Sequence, residues 1–201
     1  MKTLLPSVLL AAVVLAVSAT QAAVSVGQPA PNFTAMDTNG KTVSLSDYKG
    51  KVVVLEWTNP ECPIVKKHYG SGNMQKLQKT YTAEGVVWLS INSSARGKEG
   101  ALTPAEANNV ITARSAAPTS LILDPSGAIG HLYEAKTTPH MFIIAKDGRL
   151  VYNGAIDSIS STSPDDISRA KNYVSAALDE VLAGKPVTVA SSRPYGCSVH
   201  Y

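Results

Sequence analysis

The feature that most limits how this chain can fold is Lys51-Val52-Val53-Val54-Leu55-Glu56-Trp57, an unbroken run of β-forming, mostly apolar residues. A strand with one face in water alternates apolar and polar side chains. A run without alternation needs cover on both faces, as inside a parallel sheet. Val86 to Ile91 is a second buried strand, and Thr119 to Leu123 a third, ended by the turn Asp124-Pro125-Ser126-Gly127. Met141 to Ala145 and Arg149 to Tyr152 pair across Lys146-Asp147-Gly148. Phe33 to Met36 and Thr42 to Leu45 flank Asp37-Thr38-Asn39-Gly40, whose Asn-Gly step is a hairpin signal.

Helical segments separate these strands. Pro63 to Tyr69 reads as a short helix, and Asn73 can cap a second piece, Met74 to Tyr81. Thr103-Pro104-Ala105-Glu106 is a capping box with proline at the first helical position. Ser163-Pro164-Asp165-Asp166 opens a helix the same way, expected to run to about Ala183 before Gly184 and Pro186 stop it. Alternation of this kind predicts an α/β fold: a central mixed sheet flanked by helices, with an N-terminal β-hairpin extension. Chemistry in such sheets collects beyond the carboxyl ends of the strands, and Cys62 follows the 51–57 strand there.

Composition removes several functions. The chain has 201 residues, a formal charge of +3 and two cysteines, Cys62 and Cys197. Without a basic run there is no footprint for nucleic acid. Two cysteines are too few for a disulfide-dense scaffold or a four-cysteine zinc site. Residues 1–23 have the layout of a signal peptide: Lys2, an apolar stretch Leu4 to Val17, then small residues up to Ala22 and Ala23. The alternative, a membrane anchor, needs roughly twenty apolar residues against about fourteen here. The expected organisation is therefore a signal peptide 1–23, one domain 24–184, and a tail 185–201 that carries Cys197 and is not a packed element. Export, to a periplasm or beyond, allows disulfides, and no membrane span is expected after cleavage.

Cys62 stands directly before Pro63, with the free amides of Ile64 and Val65 pointing towards its sulfur. Helix N-terminal amides stabilise a thiolate. Lys66 lies on the same helical face, Glu56 ends the preceding strand, and Arg96 or Lys98 could bring charge from a neighbouring loop. The other reading of Cys62 is a buried structural cysteine. Glu61 and Asp157 are possible acid–base groups without an evident partner. Cys197 can be a resolving thiol, one half of a permanent bridge, or unpaired.

From Val26-Gly27-Gln28-Pro29-Ala30-Pro31-Asn32-Phe33, through Val52 to Tyr69, to Thr137-Thr138-Pro139 before the strand at Met141, the chain resembles the thioredoxin superfamily and its redoxin, or peroxiredoxin-like, AhpC/TSA-type branch. That resemblance implies a thioredoxin-like fold, with Cys62 as nucleophile and Cys197 as its possible partner. It further implies a cis-proline at Pro139 and a substrate groove shaped by Pro139 and Thr138; Pro63, beside the cysteine, is a further candidate for that groove, and Trp57 is either core or a wall of the site. It implies thiol–disulfide exchange or weak peroxidase activity, a thiol or disulfide protein partner or a peroxide, an external thiol reductant, and no cofactor. Three departures stand out. Val65 occupies the position of a thioredoxin's second cysteine, and Asn59 that of a peroxiredoxin's Thr or Ser. Pro139 also stands where a peroxiredoxin carries an arginine. The competing class is a non-catalytic or copper-binding redoxin relative. It would draw on Cys62, His68, His131, His140, Cys197 and His200, although no specific metal site is expected.

Overall fold

A computed structural model describes residues 24–201; the expected signal peptide and its cleavage site lie outside them. The core is a five-stranded sheet of β3 (Val53–Trp57), β4 (Val87–Asn92), β5 (Ser120–Leu123), β7 (His140–Ile144) and β8 (Leu150–Gly154), in the order β5-β4-β3-β7-β8. β3 lies at the centre, parallel to β4 and antiparallel to β7. The sheet is mixed, and every residue of β3 is buried, as its unalternating composition requires. β1 (Thr34–Met36) and β2 (Thr42–Ser44) form the N-terminal hairpin, with Asp37 Oδ1 accepting the amides of Asn39 and Lys41.

Successive residues of β3 enter two different cores. Val53, Leu55 and Trp57 join Phe33, Val43, Ile129, Tyr133 and Phe142 on the face covered by the hairpin and α4 (Ala128–Leu132). Val54 faces Cys62, Val65, Met74, Trp88 and Leu178, under α1 (Pro63–Gly70), α2 (Asn73–Ala83) and α5 (Tyr173–Leu182). Each buried aliphatic side chain here stabilises the fold by roughly 1.5–3 kcal/mol. α3 (Pro104–Ala113) begins on the expected capping box: the Thr103 hydroxyl accepts the Glu106 amide at 3.3 Å, and the Glu106 carboxylate accepts the Thr103 amide at 2.7 Å.

Two local expectations are corrected. Gly72, at φ 77°, is the residue before α2, so Asn73 is not the cap; its amide bonds His68 Nδ1 at 2.8 Å instead. The helix expected from Ser163 is only a short turn, Pro164–Asp166, and α5 starts nine residues later behind Asn172, whose side chain accepts the Ser175 amide. Asp166 is held by Ser161 and Arg169 and is not free to complete a cap, and Asp157 pairs with Asn172 across the intervening loop. α4 was not anticipated; Asp124 Oδ2 caps it by accepting the amides of Ile129 and Gly130.

The segment 185–201 is also packed, contrary to expectation. Ser192 lies against β8, where its hydroxyl accepts the Ala155 amide at 2.9 Å. Further on, β9 (Cys197–Ser198) pairs antiparallel with β6 (Thr137–Thr138), placing Thr138 opposite Cys197. Backbone pairing, which apolar periodicity does not reveal, fixes this segment.

Candidate active site

Cys62 is the residue before α1, in extended conformation, with Pro63 at the first helical position. The loop that delivers it is held at several points. Asn59, itself buried, accepts the Glu61 amide through Oδ1 at 2.8 Å, donates to Glu99 O, and accepts the Cys62 amide through its carbonyl. Arg114 donates to Pro60 O at 2.8 Å while lying over the Tyr69 ring. The sulfur therefore has a fixed position at the carboxyl end of β3.

The Cys62 side chain is fully buried and donates to Thr138 O at 3.0 Å. The Thr138–Pro139 peptide is cis, as the resemblance implied. The Cys197 amide points at the Cys62 sulfur from 3.5 Å, across 135 residues of sequence. Burial alone pushes the Cys62 thiol up. Donation by the Cys197 side chain, the Val65 and Cys197 amides and the Thr138 hydroxyl outweighs burial and holds it below the ordinary thiol value. The Thr138 hydroxyl has no other partner among the described residues, so it is available to the anion. Cys197 moves the other way, to about 12, through burial first and then through its bond to Cys62 and the Cys62 charge. Both thiols are free. The pair is thus polarised: Cys62 is the more acidic thiol, and Cys197 keeps its proton and donates to it.

Other candidates from the sequence lie elsewhere. Trp57 is in the opposite core, packed on Tyr133 and Phe142 with its indole donating to Ser93 at 3.1 Å; it does not line a groove at Cys62. Lys66 pairs with Glu61 at 2.8 Å in an exposed ion pair and makes no contact with the sulfur. Arg96 is exposed, and neither it nor Lys98 is among the groups acting on Cys62. Pro63 opens the helix at its first position as expected and is itself exposed.

Glu56 is fully buried on the Cys62 side of the sheet, yet its bonds run away from the sulfur. It accepts from Trp88 Nε1 at 2.7 Å, Ser90 at 2.9 Å, Tyr69 at 2.9 Å and Gln78 at 3.2 Å. Burial raises its carboxyl above the ordinary range despite these donors. It is a structural hub beneath the site.

His140 is committed through both ring nitrogens. Nδ1 accepts the Lys136 amide at 3.2 Å, which makes Nε2 the donor to Asn153 Oδ1 at 2.7 Å. Burial lowers it to about 4. A neutral ring used on both sides has no lone pair for a metal. Among the described residues no group of three or more His, Cys, Asp or Glu side chains converges on a common point.

Several residues at the site escaped sequence reasoning. Arg114 is one; a lone arginine at a helix end carries no local signal. Tyr195 is another: it donates to Asp157, whose other oxygen is 3.9 Å from His68 Nε2, and its ring lies 5.7 Å from Lys67 Nζ. Asp157 therefore anchors the tail. His68 is driven to about 4 by burial and then by the Lys67 charge, against the opposing pull of Asp157. Tyr201 is the third. The tyrosines on either side of Cys197 were the available clue.

A mixed thioredoxin-like sheet, with a cysteine at the amino end of the first helix facing a cis-proline, defines the class to which this molecule belongs. The chain is a member of the AhpC/TSA family, whose family model matches residues 26–153. Among curated relatives, the thiol-disulfide oxidoreductase ResA of Bacillus subtilis is 31% identical over 136 residues, covering 68% of this chain and 70% of that one. A conserved protein of Geobacillus kaustophilus, described as uncharacterized, superimposes with a TM-score of 0.74 at 26% identity, covering 88% of this chain and 92% of that one. A putative thiol:disulfide interchange protein DsbE of Chlorobium tepidum gives a TM-score of 0.54 at 25% identity, covering 65% of this chain and 85% of that one.

Proposed function

We propose that this protein is an exported thiol–disulfide oxidoreductase in which Cys62 is the nucleophile and Cys197 completes the cycle. The observation that carries the reading is the meeting of the two cysteines at Thr138, with the Cys197 amide directed at the Cys62 sulfur. The Cys62 thiolate attacks a substrate disulfide. A bond forms between Cys62 and one substrate sulfur, and the other substrate sulfur leaves as a thiolate. Once Cys62 is in the mixed disulfide its charge is gone, and with it one of the causes that hold Cys197 protonated. Cys197 then loses its proton, attacks the Cys62 sulfur and expels the second substrate thiolate. Two electrons pass from the cysteine pair to the substrate, and an external dithiol reopens the Cys62–Cys197 bond.

Thr138 and Pro139 border the sulfur and would contact the incoming chain. A peroxide is the lesser substrate in this reading: Asn59 is occupied in holding its own loop, and Arg114, at the end of α3, is committed to Pro60 O. Export rests on the pattern of residues 1–23.

The test is reduction of a fluorescent protein disulfide, together with thiol mapping of the oxidised product. Wild type should turn over and yield a Cys62–Cys197 disulfide. Cys62→Ser should lose turnover entirely, and Cys197→Ser should stop at the mixed disulfide. A Cys62→Ser protein with undiminished turnover would sink the reading and favour a binding module.

A further inference from the structure

The tail does more than carry Cys197: it fills a slot with two walls. On one wall, β9 pairs with β6 and the Val199 amide donates to Lys136 O at 3.2 Å. On the other, the Ala95 amide donates to His200 O at 2.8 Å, and His200 Nδ1 bonds Glu99 O at 3.1 Å. The slot runs past Cys62 and ends in a seat for the Tyr201 ring. That ring stacks on His131, with centroids 4.0 Å apart and an interplanar angle of 24°. Its hydroxyl donates to Ala135 O at 2.8 Å. The floor of the seat is made by Gly127 and Gly130, where an added Cβ would overlap the ring. At Gly196 a Cβ would overlap Thr138 O, so the chain approaches the slot edge closely just before the cysteine.

Most of these contacts are made to backbone, and they are indifferent to sequence. Three use a tail side chain: the cysteine beside Cys62, the exposed His200 ring on Glu99 O, and the aromatic ring four residues after the cysteine, which is the one seated in a shaped pocket. We propose that the tail is an internal template of the ligand: the slot takes an extended polypeptide bearing a cysteine opposite Thr138 and an aromatic residue four positions downstream, and the tail vacates the slot for such a partner. The inference rests on the reading of Cys62 as nucleophile and names the substrate class of that site.

The experiment uses full-length protein with Cys197→Ser and Tyr201→Ala, which removes the resolving thiol and empties the ring seat. The probe is a peptide copying residues 195–201, its cysteine carried as a mixed disulfide with thionitrobenzoate. Attack by Cys62 forms the Cys62–peptide bond, breaks the peptide–thionitrobenzoate bond and releases the coloured thiolate, so the rate is read directly. The peptide should couple about fivefold faster than its Tyr-to-Ala copy, on the scale of one aromatic contact. Adding Gly130→Ala, which fills the seat, should erase the difference. His131→Ala, at an exposed position, should shrink it without risk to the fold.

A ratio below about twofold on a reactive Cys62, less than one aromatic contact supplies, overturns the seat and leaves the nucleophile standing. A Cys62 that couples to neither peptide overturns both. A ratio that survives Gly130→Ala and His131→Ala together overturns the assignment of the seat to this place.

Discussion

At the scale of single residues, the site depends on which sulfur holds the proton. Cys62 is held below the ordinary thiol value by donors that include the Cys197 side chain. Lowering a thiol's pKa extends its thiolate, and so its reactivity, to lower pH. Alkylation of Cys62 against pH should therefore show a midpoint below about 8.5, the unperturbed thiol. Cys197→Ala removes one donor and should move that midpoint upward; an unchanged midpoint would show that the tail does not tune the nucleophile.

Glu56 gives a second residue-scale prediction. Glu56→Ala strands several buried donors and should cost on the order of 2–3 kcal/mol in urea unfolding. Glu56→Gln keeps most of the bonds and should cost less. It should also flatten the pH dependence. A carboxyl raised in the folded state favours folding fully at pH below its unfolded value, 4.5, and loses that contribution as pH rises through the folded value. Wild type should thus lose stability over that rise relative to the glutamine variant. Glu56 was visible in the sequence as a charge at the end of an apolar strand. Its role was not, because its four partners come from β4, α1 and α2 and meet only in the fold.

At the scale of elements, what was legible followed from local chemistry. The strands of the central sheet and the Thr103 cap announce themselves because apolar runs and capping boxes act within a few residues. The segment from Ser163 has the same pattern, a hydroxyl residue, a proline and an acid three positions on, but a different outcome: Asp166 is claimed by Ser161 and Arg169, and Asp157 pairs with Asn172. Tertiary partners overrode a local signal there. β9 shows the converse, since two residues of strand carry almost no pattern, and the pairing with β6 exists because Gly196 admits close approach to Thr138 O. Gly196→Ala should therefore lift β9 from β6. Formation of the Cys62–Cys197 disulfide under mild oxidant should slow by about tenfold, the loss of roughly 1.4 kcal/mol of positioning, as followed by mass mapping. An unaltered rate would mean that the tail reaches Cys62 without its strand.

At the scale of the whole molecule, the fold was legible because a buried central strand, a hairpin at the start and a cis-proline loop are each modest signals that agree in order. Cys62, Thr138 and Pro139, expected together from the sequence, do lie together in the fold. Trp57, read as core or site wall, is core on the opposite face, and Lys66 turns to Glu61, because position along a strand or helix does not say which core or which partner receives the side chain. Oxidation should change global stability. Joining residues 135 apart in sequence restricts the unfolded chain and is worth on the order of 5 kcal/mol in the chain-entropy model. Oxidised protein should unfold at higher urea than reduced protein, and Cys197→Ser should abolish the difference; equal midpoints for oxidised and reduced wild type would refute this.

The odd and even positions of β3 supply one more consequence. The chain has two tryptophans, and they lie on opposite sides of the sheet, Trp57 among the aromatic rings of one core and Trp88 bonded to Glu56 in the other. They form two optical channels in one molecule. Emission from Trp88 should follow ionisation of Glu56 and motions beneath the thiol, and emission from Trp57 should stay constant until the hairpin face melts. Single Trp-to-Phe variants would separate the channels, so that events at the cysteine pair and loss of the fold can be watched at the same time without an added label.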